Sequence, residues 1–364
     1  MCSKVLILAN SSSGLYDFRN ELILELKKKY DEVVVSVPEK DKTSELERIG
    51  CRVIQTYIDR RGINPFKDLK LLKNYFVILK SEKPDLVITY TIKPNIYGGL
   101  ACRLKRIPYA VNITGLGTAF QKQGMLKTVV TNLYKLGIKK SKVVFFENVE
   151  NKKILLQEKI VKEEQCCLLN GAGVNLERFQ LTDYPTVNDT TKFLFIGRVM
   201  QEKGVDELFE AMMRLRKEGF SCTLDILGGY EEDYEGKIRK FEEDGWLKYH
   251  GYQKDVRPYI AHAHCFVLPS WHEGMANTNL ECAASGRPLI TSNIHGCKEA
   301  VVENVSGYLC EKQQADSLYE KMKKFIVLSY EEKRAMGLSG RKHMEKVFDK
   351  KKVVQATIEG LERI

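Results

Sequence analysis

The chain has 364 residues, of which 43% are apolar and 29% charged, and a formal net charge of +10. Those proportions exclude a disordered chain, a collagen-like fibre and a small disulfide-stapled domain, and the length implies two domains rather than one. No run approaches the roughly 18 uninterrupted apolar residues of a membrane-spanning helix. The short apolar run after Lys4 reads as a first strand, not a signal peptide, so a cytoplasmic chain is expected.

Apolar runs at residues 5–9, 32–37, 52–57, 85–89, 109–113 and 143–146 read as strands. Between them, residues 18–30 carry Phe18, Leu22, Leu26 and Tyr30 at helical spacing, and residues 68–80 carry Leu69, Leu72, Phe76 and Leu79. Strands alternating with amphipathic helices predict a parallel, doubly wound sheet. Residues 168–178 (LLNGAGVNLER) break the pattern with two glycines and two asparagines and read as a linker. The alternation then restarts, with strands at 192–196, 222–227, 246–249, 265–268, 288–291 and 307–310. Helices are expected at 205–217 and near 280–284, and the stretch 330–364 is helical and charged. The expected fold is therefore α/β: two Rossmann-like doubly wound domains facing a cleft, with ligands beyond the carboxyl ends of the strands.

Ten cysteines are present, none spaced C-x-x-C, and the only close pair, Cys166-Cys167, is adjacent in sequence. That spacing suits neither zinc nor a disulfide framework, so buried, reduced thiols are expected.

The charge is uneven. Up to Arg178 there are 31 Lys/Arg and 19 Asp/Glu, while the remainder holds 27 and 29. Residues 86–146 contain no acid and ten basic residues: Lys93, Arg103, Lys105, Arg106, Lys122, Lys127, Lys135, Lys139, Lys140 and Lys142. Such asymmetry points to a polyanionic partner, whether nucleic acid, anionic lipid or a phosphorylated substrate. Residues 125–142 mix apolar and basic side chains as an interfacial helix does, or as a helix packed on a sheet with a solvated basic rim does.

Two motifs carry chemistry. In FLFIGRVMQEKG (193–204) an apolar strand ends at Gly197, and Arg198 and Lys203 follow before a helix. Arg offers a forked donor set and Lys a compact charge, so two cations beside a helix N-terminus suit a diphosphate; the alternative is a βα turn with solvated cations. In LPSWHEGMANTNLECAASGRP (268–288) Glu273 and Glu281 flank a loop that opens a helix, with Glu281 expected in its first turn. Gly274, Ala276, Asn277 and Thr278 can offer N–H groups to a phosphate, and a carboxylate at 281 can accept two ribose hydroxyls. Thr278-x-x-Glu281 equally fits a capping box, in which Glu281 only satisfies a backbone N–H.

Gly197-Arg198…Lys203-Gly204, Glu273-x7-Glu281 within PSWHEGMANTNLE, the NGAGVNLERF linker and GCKEAVVENVSGYL (296–309) occur in this order. Over essentially its whole length the chain resembles the retaining glycosyltransferases of family 4, which have the GT-B fold. RRGINPFKDLK (60–70), TYTIKPNIYGGLACRLKRIPY (89–109) and NITGLGTAF (112–120) resemble the branch that builds capsule, O-antigen and other glycans on undecaprenyl diphosphate. The resemblance implies that Arg198 and Lys203 hold the diphosphate of a nucleotide-sugar, that Glu281 binds the ribose and that Glu273 approaches the donor sugar. It places phosphate and sugar against Gly274, Met275, Ala276 and Asn277, a uracil base near Gly228, Gly229 and Tyr252, and the acceptor side at Gly14, Lys93, Thr114 and Gly115. It also implies a first domain over 1–175 joined by a C-terminal helix at about 345–364, and a second over 176–344.

The chain departs from the family where many members carry a histidine touching the sugar: it reads Asn112-Ile113-Thr114, leaving Thr114 or nearby backbone as the substitute. His272 adjoins a motif and is assigned no catalytic role. No N-terminal carboxylate sits in a motif, so the expected mechanism is same-face transfer, with the leaving diphosphate held by Arg198 and Lys203 and no metal or cofactor. The expected partners are a UDP-sugar, with an N-acetylhexosamine, a lipid-linked saccharide acceptor, and an anionic membrane at whose inner face the enzyme is peripheral. Nucleic acid is not among them: aromatics are 9%, no recognised nucleic-acid module is present and the second half is slightly acidic. A nucleotide-sugar epimerase of the same fold, and a basic membrane- or nucleic-acid-binding protein without catalysis, remain alternatives.

Overall fold

The structure, a computed structural model, describes residues 3–38, 42–59, 62, 64–116, 125–186 and 190–363. Arg60, Arg61 and Ile63 of the RRGINPF segment, residues 117–124 with Lys122, and Cys2 lie outside the described residues, as do the side chains of Met125 and Leu126.

The chain divides into two compact units: residues up to Ala172 together with those from Lys350 onward, and Gly173–Asp349. In the first unit the order is β1 (Lys4–Leu8), α1 (Ser12–Lys29), β2 (Glu32–Val37), α2 (Thr43–Arg48), β3 (Arg52–Gln55), α3 (Pro65–Glu82) and β4 (Leu86–Tyr90). A π-helical turn, Pro94–Gly98, leads into α4 (Gly99–Lys105), followed by β5 (Tyr109–Ile113), α5 (Met125–Ile138), β6 (Val143–Phe146), α6 (Val149–Gln157) and β7 (Cys166–Leu168). The sheet runs β3-β2-β1-β4-β5-β6-β7 with parallel pairings. Strands such as LVITY are buried along their length because helices cover both faces of a parallel sheet. One face packs under α3, α4 and α5, the other under α1 and the C-terminal helix Lys350–Leu361.

The second unit runs β8 (Thr191–Ile196), α7 (Val205–Lys217), β9 (Cys222–Leu227), α8 (Glu235–Glu243), β10 (Leu247–Tyr249), α9 (Arg257–His262), β11 (Cys265–Leu268), α10 (Asn277–Ala284), β12 (Leu289–Ser292) and β13 (Gly307–Cys310). α11 (Ala315–Ile326) and α12 (Tyr330–His343) follow, and a π-helical turn, Met344–Phe348, precedes α13 (Lys350–Leu361) of the first unit. Its parallel sheet runs β10-β9-β8-β11-β12-β13 around a single core.

Four expectations need correction. The segment read as a linker from 168 begins inside β7, a three-residue edge strand on β6. The first helix starts at Ser12, not near 18, because Ser11 caps it by accepting the Gly14 N–H at 3.1 Å. The helical stretch from 330 is interrupted at Asp349, whose backbone is non-helical. The stretch 125–142 is helical only to Ile138, and Thr131, Tyr134 and Ile138 face the core. All nine described cysteines are free thiols, seven of them buried.

Candidate active site

Strand order reverses in the second unit between β8 and β11, and an open α/β sheet binds its ligands beyond the carboxyl ends at that point. The two motifs leave the sheet there. Gly197 and Arg198 follow β8, and Pro269 to Asn277 follow β11. Seventy residues apart in sequence, Lys203 and Glu273 form a mostly buried ion pair. Glu273 Oε1 also accepts from Ser270 Oγ at 2.9 Å, and the Trp271 N–H donates to Glu202 O at 2.9 Å. The loops close this tightly because Gly204 has φ +72° and a Cβ there would lie 2.1 Å from Pro269 O. Arg198 is half exposed, with Glu231 Oε2 at 3.2 Å.

α10 begins at Asn277, earlier than expected, with Ala276 as N-cap and no side-chain cap. Thr278 is thus inside the helix, Glu281 falls in its second turn rather than its first, and the capping-box reading fails. The first N–H groups of α10, at Asn277 and Thr278, have no acceptor within the helix, and Asn277 Oδ1 is buried without a partner. Asn279 anchors the helix by donating to Thr291 Oγ1 at 3.1 Å. Gly274, Met275 and Ala276 form the turn into it, and the Ala276 N–H donates to Gly296 O. A third cation of the two motifs, Arg287, is fully buried and spent on backbone carbonyls of Ile260, Ala261, Thr182 and Asp183, so it is structural.

The loops expected near the base also meet. A Cβ on Gly228 would lie 1.8 Å from Gly197 O, the Gly228 N–H donates to Gly251 O at 2.8 Å, and a Cβ on Gly229 would meet nothing within 4 Å. Tyr252 is exposed beside Gly251. Tyr230 and Tyr249 stack at 4.5 Å next to them, and Tyr249 Oη donates to Gly228 O.

In the first unit the expected residues lie at the carboxyl edge of the sheet, but two are already engaged. The Gly14 N–H is taken by the Ser11 cap, and Lys93 Nζ lies 2.6 Å from Asp68 Oδ1 and donates to Gly62 O at 2.8 Å. Thr114 and Gly115 follow β5 and are partly exposed. The same edge holds groups that no motif announced. Arg19 and Glu147 form a buried pair, and the guanidinium sits 5.3 Å from the Tyr90 ring. Burial pushes the Glu147 carboxyl above its ordinary range against the pull of Arg19, and pushes the Tyr90 hydroxyl up to about 12. Thr91 is β-branched yet has φ +72°, and its buried hydroxyl has no partner.

Two family models match: Glycosyl transferase 4-like over residues 4–148 and Glycosyl transferases group 1 over 190–327. The chain belongs to these glycosyltransferases. A Campylobacter jejuni relative, N,N'-diacetylbacillosaminyl-diphospho-undecaprenol alpha-1,3-N-acetylgalactosaminyltransferase, is 29% identical, covering 86% of this chain and 87% of its own. The Escherichia coli UDP-Gal:alpha-D-GlcNAc-diphosphoundecaprenol alpha-1,3-galactosyltransferase is 28% identical over 71% of this chain and 70% of its own. Among solved structures, Anabaena HepE in complex with UDP and glucose superposes with a TM-score of 0.80 at 16% identity, covering all of both chains. The glycosyltransferase therefore has the GT-B fold, with two Rossmann-like domains.

In this glycosyltransferase the signals for Arg198, Lys203 and Glu273 were in the motifs, whereas those for their partners were weaker. Ser270 stands three residues before Glu273 and could have been found as its orienting hydroxyl. Glu231 sits in an acidic run with nothing to single it out, and Glu147 is read only once β6 is seen to end beside it.

Proposed function

We propose that the chain is a retaining transferase that moves a sugar, an N-acetylhexosamine, from a UDP-sugar to a saccharide on undecaprenyl diphosphate, in surface-polysaccharide or glycan assembly. The observation that carries it is the Lys203–Glu273 pair at the switch point, between the end of β8, where Arg198 stands, and the N-terminus of α10. Two cations and free helix N–H groups match a diphosphate. Glu281, in the second turn of α10, is the ribose ligand in this reading, and the Gly228–Tyr252 loops take the base. UDP and undecaprenyl-diphosphate acceptors appear in the names of the proteins it is similar to. Both relatives make α-1,3 linkages, and transfer from an α-configured donor to an α product is retention.

In the proposed step the bond from the anomeric carbon to the donor's phosphate oxygen breaks, and a bond to the acceptor hydroxyl oxygen forms on the same face. The departing diphosphate takes the hydroxyl proton, and Arg198 and Lys203 stabilise its growing charge. On donor binding, before this step, Lys203 exchanges its Glu273 partner for phosphate, leaving Glu273 to accept from the donor sugar. Gly14, Lys93, Thr114 and Gly115 are proposed on the acceptor side. No metal or cofactor enters this reading, and turnover in excess EDTA is expected to be unchanged.

The enzyme is proposed to work peripherally on the inner face of the plasma membrane; no described helix is long and apolar enough to cross one. Purified protein incubated with UDP-N-acetylhexosamines and a detergent-solubilised undecaprenyl-diphosphate saccharide should yield an acceptor one sugar heavier, with α configuration by NMR. Isomerisation of a UDP-sugar without acceptor would instead make the chain an epimerase.

A further inference from the structure

Each cation expected at the diphosphate meets a carboxylate of the chain itself. Lys203 pairs with Glu273, and Arg198 with Glu231, whose Oε2 lies 3.2 Å from Nη1. Glu273 has a proposed role toward the donor sugar. Glu231 has none, and its charge is of the wrong sign for a diphosphate site. Its place is nevertheless fixed. The turns after the adjacent strands β8 and β9 continue their ladder past the sheet: the Val199 N–H donates to Gly229 O at 2.9 Å, the Glu231 N–H donates to Val199 O at 3.0 Å, and Tyr230 bridges Val199. The stack of Tyr230 on Tyr249 steadies the same turn.

Three consecutive acids stand in this turn, and they differ. Glu232 is used on the backbone, where its Oε2 accepts the Gln201 N–H at 2.7 Å. Asp233 is exposed beyond it. Glu231 alone of the three is paired with Arg198. Its side chain is 26% exposed and that of Arg198 51%, so water screens the pair and an anion of higher charge can displace it.

We infer that Glu231 discriminates between donor and product: it lowers the affinity of the site for UDP more than for a UDP-sugar, and so promotes product release. The inference rests on the reading that Arg198 holds the diphosphate. When the bond from the anomeric carbon breaks, the freed phosphate oxygen takes the acceptor's proton. The terminal phosphate so formed has a second ionisation near pH ~6. At neutral pH it passes that proton to water, and UDP carries about one negative charge more than the donor did. A carboxylate fixed beside Arg198 repels the added charge, and it returns to the guanidinium as UDP leaves.

The test is isothermal titration calorimetry of the full chain with UDP and with UDP-N-acetylglucosamine, no acceptor being present. One unit charge at ~5 Å in an effective dielectric of ~50 changes an affinity about tenfold. Glu231→Gln, which keeps a hydrogen-bond acceptor for Arg198, should therefore tighten UDP, and the ratio of donor Kd to UDP Kd should rise about tenfold above that of wild type. In steady-state assays the inhibition constant of UDP should fall in parallel. Glu231→Asp, which restores the charge, should keep the wild-type ratio, and so should Asp233→Asn, which removes an exposed charge from the same turn. An unchanged or lower ratio in Glu231→Gln, weaker UDP binding by that variant, or an equal rise in Glu231→Asp or Asp233→Asn would each overturn the inference. If wild type binds both nucleotides and the ratio does not move, the inference fails and the proposed function stands; if wild type binds neither, both fail.

Discussion

Arg198 and Lys203 share one expected role in the sequence but have different surroundings in the structure. Arg198 is half exposed, so its ion pair with Glu231 contributes little, and Arg198→Ala should lower kcat/KM by on the order of 100-fold or more and leave Tm within a degree, read by steady-state kinetics and a melt. Lys203 is mostly buried against Glu273, so Lys203→Ala should show the same kinetic loss together with a lower Tm, because a carboxylate is left without its cation. Lys203→Ala/Glu273→Gln should recover the Tm and not the rate. An Arg198→Ala enzyme of near-normal turnover would remove the phosphate role. These cations were legible in the sequence because a Gly-Arg after an apolar strand and a Lys-Gly before a helix describe a βα turn by themselves. The pairing of Lys93 was not, because Asp68 is 25 residues away and only the folding of α3 against the π-helical turn brings them together.

At the scale of elements, the two site loops stand or fall together. Gly204 lies in the left-handed region with Pro269 O where a Cβ would go. Gly204→Ala should therefore cost at least about 2 kcal/mol in a denaturant melt and reduce turnover, as it pushes the Lys203 and Glu273 loops apart. Gly219→Ala is the control: φ +89° but nothing within 4 Å, so about 1 kcal/mol and no kinetic effect. The strand pair β8 and β11 carries a second test. His264 Nδ1 accepts the Lys192 N–H at 2.8 Å, and burial holds its pKa below the ordinary 6.5. The unfolded chain then takes up the proton first, so the neutral imidazole contributes stability above pH 6.5 that is lost as pH falls through 6.5 toward the folded value. The Tm of wild type should drop more between pH 7.5 and 5.5 than that of His264→Asn; parallel drops would contradict this. Strand positions were readable from apolar runs. The capping ambiguity at α10 was not, because Thr278-x-x-Glu281 fits two helix starts and only the observed start at Asn277 separates them.

For the whole molecule, alternation of strands and helices foretold two doubly wound sheets, and the reversal in strand order then gave each motif its place. The sequence could not show which basic residues the fold consumes. Thr131, Tyr134 and Ile138 turn much of α5 inward, while α3, outside the acid-free stretch, keeps Lys70, Lys73 and Lys80 on the surface with no ion pair among the described residues. The second unit is proposed to hold the diphosphate and ribose of a uridine nucleotide. The most direct test is a thermal-shift titration with UDP, GDP and ADP on wild type and Glu281→Ala. A ligand at 100 times its Kd stabilises by about 2.7 kcal/mol, so UDP alone should raise the Tm of wild type by several degrees and leave Glu281→Ala where it was. An equal rise in both proteins would contradict the ribose contact, and no rise with any nucleotide would contradict the donor site as a whole.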